Sequence, residues 1–278
     1  MTALNDEAWF EHLPVPAPNG HKHDRGHAVV LAGPRHATGA ARLAAGAALR
    51  AGAGLVTVLA TPQAADIVAA HATAVMVRRL DENGVSGALR ALEPAVVALG
   101  PGMAPNERTR EAVRAALAHD APCVLDAGAL TAFASDPDAL CAAIRARAAP
   151  VVLTPHGGEY ARVFGDAALG DAVERSGAVI VLKGPDTRVR DPDGRERTVT
   201  QAPPWLATAG TGDVLCGVIA GLAAQGMAPF EAAVAAVRIH AEAALRLGPA
   251  MTADDMDKAL RDVLGPLLQR RMGLAAGA

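Results

Sequence analysis

Ala28-Val-Val-Leu-Ala32, Gly39-Ala-Ala-Arg-Leu-Ala-Ala-Gly-Ala-Ala-Leu-Arg50 and Leu55-Val-Thr-Val-Leu59 follow one another within about thirty residues. The two outer runs are short, apolar and β-branched, which suits strands covered on both faces, and the middle one is Ala- and Leu-rich and long enough for a helix. A strand, helix and strand in that order form a βαβ unit, whose strands lie parallel and whose crossover is right-handed.

The same rhythm continues outward. Further strand-like runs are Ala95-Val-Val-Ala-Leu99, Pro122-Cys-Val-Leu-Asp126, Val151-Val-Leu-Thr154 and Ala178-Val-Ile-Val-Leu182. Helix-like stretches run from Arg108 to Ala118, Asp136 to Ala148 and Asp213 to Gln225. The alternation predicts an α/β fold, doubly wound, with a mostly parallel sheet and helices on both faces. Thr187 to Thr200 breaks the pattern, because Asp193-Gly194 between Arg-Val-Arg and Arg-Thr-Val reads as a hairpin turn and adds an antiparallel edge. Residues 1–24 are rich in Pro and His without apolar periodicity, so they are expected to form an N-terminal arm ahead of a single domain over 25–278.

Composition narrows the partners. A chain of 278 residues, 51% hydrophobic, can bury a large core. A formal charge of -3 supplies no basic field for a polyanion, and two Trp, one Tyr and four Phe make no platform for stacked bases. The opening Met1-Thr-Ala-Leu-Asn-Asp-Glu7 lacks a basic segment ahead of an apolar one, and the apolar run Val214 to Ala224 is too short for a bilayer, so a cytoplasmic protein is expected. Cys123, Cys141 and Cys216 lie in apolar or Ala-rich settings without metal-like spacing and read as reduced core residues. The early histidines His12, His21, His23, His27 and His36 have no Cys partner or helical His pair to make a metal site.

Ligands of such sheets collect beyond the carboxyl ends of the strands. There Ala207-Thr-Ala-Gly-Thr-Gly-Asp-Val-Leu-Cys-Gly217 leads from a glycine-rich turn straight into an apolar helix. Gly210, Thr211 and Gly212 can turn successive N–H groups toward an anion, and Asp213 beside them can take a proton from a hydroxyl while that anion hole holds a phosphoryl group. Helix capping by Asp213 is the competing reading. Asp126, at the end of a strand, is either functional or a turn former.

These residues resemble the signature of the NAD(P)HX dehydratases, carbohydrate-kinase-like members of the ribokinase fold. The resemblance also takes in Lys22-His-Asp-Arg-Gly-His-Ala-Val-Val-Leu-Ala-Gly33, Thr38 to Ala45, Leu99-Gly-Pro-Gly102, Val124-Leu-Asp-Ala127, Leu153-Thr-Pro-His-Gly-Gly-Glu159, Val181-Leu-Lys-Gly184 and Gly221-Leu-Ala-Ala-Gln-Gly226, in family order from Lys22 to Leu264. It implies a ribokinase-like sheet and the ADP- or ATP-dependent dehydration of the S form of hydrated NADH or NADPH. Asp213 is then the catalytic base. Lys183, Gly184, Pro185, Asp186, Thr187 and Gly212 line the adenine-nucleotide site, and Ala40, Gly102, His156 and Asp213 contact the hydrated dinucleotide. Glu159 organises Mg2+ through water. The resemblance further implies a homo-oligomer, a tetramer by analogy, and an NAD(P)HX epimerase as a separate domain or protein.

The chain departs from the family pattern at Gly33-Pro-Arg35, where Gly-Gly-Ser is usual, at Gly128, where a second Asp is usual, and at Gly157, where Pro is usual. A vitamin kinase of the hydroxyethylthiazole or hydroxymethylpyrimidine type would share the Gly-Thr-Gly-Asp chemistry, and a silent nucleotide sensor would keep the fold without turnover. A Rossmann dehydrogenase is disfavoured because no Gly-x-Gly-x-x-Gly opens the first helix.

Overall fold

The computed structural model describes residues 7–200 and 202–274. In chain order the elements are α1 (Glu7–Glu11), β1 (His27–Leu31), α2 (Thr38–Arg50), β2 (Leu55–Ala60), α3 (Pro62–Ala69), β3 (Met76–Arg79), α4 (Gly84–Leu92), β4 (Val96–Leu99), α5 (Glu107–Leu117), β5 (Cys123–Leu125), α6 (Ala127–Thr131), α7 (Pro137–Arg145), β6 (Val151–Leu153), α8 (Gly157–Phe164), α9 (Leu169–Ser176), β7 (Val179–Leu182), β8 (Thr187–Arg190), β9 (Glu196–Val199), α10 (Thr211–Ala224), α11 (Pro229–Leu247) and α12 (Met256–Arg271).

One nine-stranded sheet runs in the order β3-β2-β1-β4-β5-β6-β7-β8-β9. Its pairs are parallel from β3 to β7, while β7–β8 and β8–β9 are antiparallel, as the Asp193-Gly194 turn leads one to expect. Residues along each strand alternate between two layers. Ala28, Val30, Val96 and Ala98 face α2, α10 and α11, whereas Val29, Leu31, Val97 and Leu99 face the layer of α4 to α9. After β2 and β3 the chain returns to the other side of β1, so strand order reverses between β1 and β4. A crevice at such a reversal is where an open α/β sheet takes its ligand.

Helix α1 and strand β3 both depart from the sequence reading. Residues 7–11 form a helix rather than an irregular arm: Trp9, Phe10 and Leu13 are buried, and Arg270 of α12 lies over the Phe10 ring at 4.5 Å. Apolar anchoring orders this piece despite its lack of period. The opening residues 1–6, read as carrying no address, lie outside the described residues. β3 went unread because Met76-Val-Arg-Arg is an edge strand with little burial, so it carries none of the continuous apolar pattern of the central strands. Among the described residues no helix is long and apolar enough to cross a membrane.

Candidate active site

The N-terminus of α10 is built around Gly210. Its φ of 90° is left-handed, and a Cβ there would lie 2.7 Å from Leu43 Cδ1 and 2.8 Å from Ala253 Cβ, so only glycine fits. The Thr211 hydroxyl binds back to the Leu206 and Thr208 carbonyls at 2.8 and 2.9 Å and closes the turn on itself. The first intrahelical bond of α10 comes from Val214 N–H, which leaves the N–H groups of Thr211, Gly212 and Asp213 without intrahelical acceptors. Three converging donors and the positive end of a fourteen-residue helix are suited to an anion.

Asp213 stands in that first turn, half-buried. Burial and the neighbouring charges of Asp126 and Glu159 push its carboxyl pKa up to about 6, against the opposing pull of Lys183. A carboxylate with that pKa is ionised at neutral pH yet basic enough to accept a proton, as a general base requires. No side-chain hydrogen bond from Asp213 caps α10, and its charge stands in the first turn of the helix.

Lys183 follows β7, tied in by its own N–H to the Pro155 carbonyl and by a bridge to His156. Its Nζ is 2.7 Å from Asp126 Oδ1 and 3.9 Å from Glu159 Oε2. Burial works to lower its pKa, but the Asp126 charge and hydrogen bond, with Glu159, outweigh burial and hold it above the ordinary lysine value. The ammonium also approaches the anion hole, since a Cβ on Gly212 would lie 3.4 Å from Nζ. The sequence left Asp126 between a functional residue and a turn former; in the structure it is 1% exposed, and its carboxylate makes no bond to the α6 turn and pairs with Lys183. The available signal was an apolar strand ending in a carboxylate at the carboxyl edge.

His156 and Glu159 cap α8 reciprocally. His156 Nδ1 accepts from the Gly158 and Glu159 N–H groups, and Glu159 Oε2 accepts from the His156 N–H at 2.9 Å. Because Nδ1 accepts, the ring proton of neutral His156 sits on Nε2, 3.4 Å from Glu159 Oε1, and the side chain remains 55% exposed. The Lys183–Thr187 turn is closed by the Thr187 hydroxyl, which accepts from Gly184 N–H and donates to Gly184 C=O. Pro185 and Asp186 sit at its tip.

Ala40 and Gly102 meet at the strand reversal: a Cβ on Gly102 would fall 3.0 Å from Ala40 Cβ, and one on Gly33 would fall 2.1 Å from the Gly102 carbonyl oxygen. Gly33 is buried and Ala40 and Gly102 are partly exposed, so main chain packs on main chain there with almost no side chain between. A groove of about 650 Å3 runs along the outer flank of α2 past Gly39, Arg42, Leu43, Val214 and Ala253, and neither Asp213 nor Lys183 lines it.

Among the described residues no three His, Cys, Asp or Glu side chains converge tightly enough to cage a metal. Glu159 lies 3.9 Å from Lys183 Nζ and its charge is felt at Asp213, and this pair of carboxylates fits Mg2+ arriving on a nucleotide and keeping most of its water.

A doubly wound sheet with an antiparallel edge, a carboxylate at a glycine-lined helix N-terminus and a paired lysine across from it define a ribokinase-like protein. The sequence matches the profile described as NAD(P)H-hydrate dehydratase over residues 28–262, and the chain belongs to that family. It is 37% identical over 254 residues to the ADP-dependent (S)-NAD(P)H-hydrate dehydratase of Xanthomonas campestris pv. campestris, covering 84% of each chain. It is 38% identical to the bifunctional NAD(P)H-hydrate repair enzyme of Moorella thermoacetica over 90% of this chain and 51% of that one, and so spans about half the length of that relative. Among solved structures, the Bacillus subtilis ADP/ATP-dependent NAD(P)H-hydrate dehydratase co-crystallised with ATP and Mg2+ superposes with a TM-score of 0.81 at 29% identity, over 95% of this chain and 98% of that one.

Proposed function

We propose that the protein converts the S form of hydrated NADH and NADPH back to the reduced cofactor, using ADP or ATP. The observation that carries this reading is Asp213, a carboxylate with a pKa near 6 set at the mouth of a helix N-terminus and facing the Lys183 ammonium. Asp213 accepts the proton of the substrate's 6-hydroxyl as that oxygen bonds to the terminal phosphorus of the nucleotide, and the bond from phosphorus to the nucleotide breaks. The N–H groups of Thr211, Gly212 and Asp213 hold the phosphoryl oxygens, and Lys183 balances their charge. Phosphate then leaves with the C–O bonding pair, a ring proton is lost, and the double bond returns. Mg2+ bound to the nucleotide and reached by Glu159 through water would neutralise phosphate charge. Ala40 and Gly102 would admit the dinucleotide, His156 Nε2–H would donate to it, and the Lys183–Thr187 turn would hold the adenine nucleotide.

The relatives' names support both the substrate and the nucleotide. Assembly as a homo-oligomer, a cytoplasmic location and an NAD(P)HX epimerase in another domain or protein complete the proposal. Incubation with hydrated NADH, MgCl2 and ADP or ATP should restore the absorbance of NADH. Nucleotide binding without any return of absorbance would mean a sensor, and phosphorylation of a thiazole or pyrimidine alcohol instead would mean a vitamin kinase. Lys183→Ala should weaken nucleotide binding far more than dinucleotide binding by calorimetry, and the reverse pattern would move the nucleotide site elsewhere.

A further inference from the structure

Behind the anion hole lies a buried group that the chemistry above does not use. His240, on α11, is 7% exposed, and its Nε2 is 2.9 Å from the Thr211 carbonyl oxygen. A carbonyl oxygen only accepts, so Nε2 carries the proton and the ring is the donor. Burial lowers the pKa of the ring to about 4 against the opposing effect of the Thr211 bond, and the Lys183 charge lowers it further. The imidazole therefore stays neutral at physiological pH.

Thr211 is the first residue of α10, and its carbonyl has a second lone pair beyond the one a helical bond takes. One turn further along α11 the Ala244 carbonyl accepts the indole N–H of Trp205 at 2.8 Å. Trp205 lies at the start of the segment that the Thr211 hydroxyl ties together through Leu206 and Thr208. One face of α11 thus grips residues 205–211 at both ends, once through the indole and once through the imidazole.

We propose that His240 is a positioning residue for phosphoryl transfer: by donating to the Thr211 carbonyl it fixes the orientation of the N–H groups in the first turn of α10, with Trp205 securing the approach to that turn. The proposal rests on reading Gly210 to Asp213 as the phosphoryl site. An apolar side chain of similar volume would fill the same space between α11 and α10. What it could not supply is a directed donor, and a buried donor with one partner sets direction as well as distance. A misplacement of about 1 Å in such a site costs on the order of a hundredfold in rate, so a shift of a few tenths of an ångström is expected to cost about tenfold.

The test compares His240→Leu with His240→Gln, whose side-chain amide can place a donor near the Nε2 position. Turnover of hydrated NADH with ADP and Mg2+, the KM for hydrated NADH, the melting temperature and amide hydrogen exchange are measured for both. In His240→Leu, kcat should fall about tenfold while KM stays within about twofold, and the amides of Val214 and Leu215, which bond to the carbonyls of the first turn of α10, should exchange faster while those of Ile219 to Ala224 do not. His240→Gln should recover most of the rate and of the protection. Wild-type rate and exchange in the Leu variant would overturn the proposal, as would equal losses in both variants accompanied by a uniform drop in melting temperature. If His240→Leu does not fold, a folded His240→Gln with lost rate and lost protection overturns it, and one that keeps both supports it. Wild-type protein that fails to dehydrate hydrated NADH would sink the functional reading alone, because the exchange pattern reports the hold on the turn without the reaction.

Discussion

The two layers that cover the sheet are packed with different materials. Against α4 to α9 the interior is large: Phe133, Leu89, Leu99, Leu125, Leu130, Leu140, Leu153 and Ile180 are all fully buried there. Between α2 and α10 it is small, with Ala44 and Ala48 of α2 and Ala51 at its end meeting Gly217 and Gly221 of α10. A Cβ on Gly217 would lie 2.1 Å from the Ala44 carbonyl oxygen, and one on Gly221 would lie 2.3 Å from that of Ala48, so the two helices touch backbone to backbone. Their N-termini both open at the carboxyl edge, one beside Ala40 and the other at Gly210. Long side chains can repack around a change, whereas main chain in contact with main chain has little freedom to yield. The layer that aims the anion hole is the one built with the least slack.

The comparison is tested hardest at Asp213. Asp213→Asn should keep the fold and nucleotide binding and lose about two to four orders of magnitude in turnover, because the amide cannot accept the hydroxyl proton. A near-normal rate would remove Asp213 from the base role. In the wild type, kcat/KM should fall as pH drops below about 6, where Asp213 protonates. The same group carries a stability cost of predictable sign. Its folded pKa is raised above the unfolded value of 3.8, so ionisation penalises the folded state increasingly between about pH 4 and 6 and fully above that. Asp213→Asn should therefore melt higher than wild type at pH 8, by roughly 1–3 kcal/mol of stability after allowance for its partial exposure, and the difference should vanish near pH 3.5.

Next in size is the contrast between layers. Gly221→Leu forces bulk against the Ala48 carbonyl and the Ala51 methyl, and should cost about 1–3 kcal/mol and at least tenfold in rate, since α10 moves with its anion hole. Leu140→Ala in the other layer should cost about 2–5 kcal/mol through the cavity it leaves, with kcat unchanged in the folded fraction. Equal rate losses in the two variants, at matched stability, would mean that the layers do not differ in their grip on the site.

The central strands were legible in the sequence because burial on both faces leaves continuous apolar runs. Edge strand β3 and helix α1 were not, since one is half-solvated and the other is held by three scattered anchors, Trp9, Phe10 and Leu13. In the site, the Gly210 to Asp213 turn announced itself, being local. The pairing of Asp126 with Lys183 spans 57 residues, and the contact of His240 with Thr211 spans 29. A bond across such distances has no periodicity to betray it. His156 was expected to contact the dinucleotide; that its Nδ1 is spent on capping α8 is revealed only by the backbone geometry.

The smallest effects are expected from the cysteines, and they probe the comparison at its finest grain. Cys216 lies in the tight layer on α10, one turn beyond Asp213, while Cys123 and Cys141 lie in the other layer, and all three are free and buried. Burial raises each thiol pKa, most strongly for Cys216, where Asp126 and Asp213 add to it, so thiolate is scarce at neutral pH, as suits passive core residues. Replacing all three with Ala should leave kcat within about twofold and lower stability by about 1 kcal/mol per site, the scale of a lost methyl-sized group. Cys216→Ala removes atoms from the tight layer without adding any, so α10 has no reason to shift. Cys216→Leu adds them, and should behave like Gly221→Leu, losing rate together with stability. If Cys216→Ala alone were well folded and inactive, the thiol would belong to the chemistry, and the passive reading of the small-residue layer would be wrong at that position.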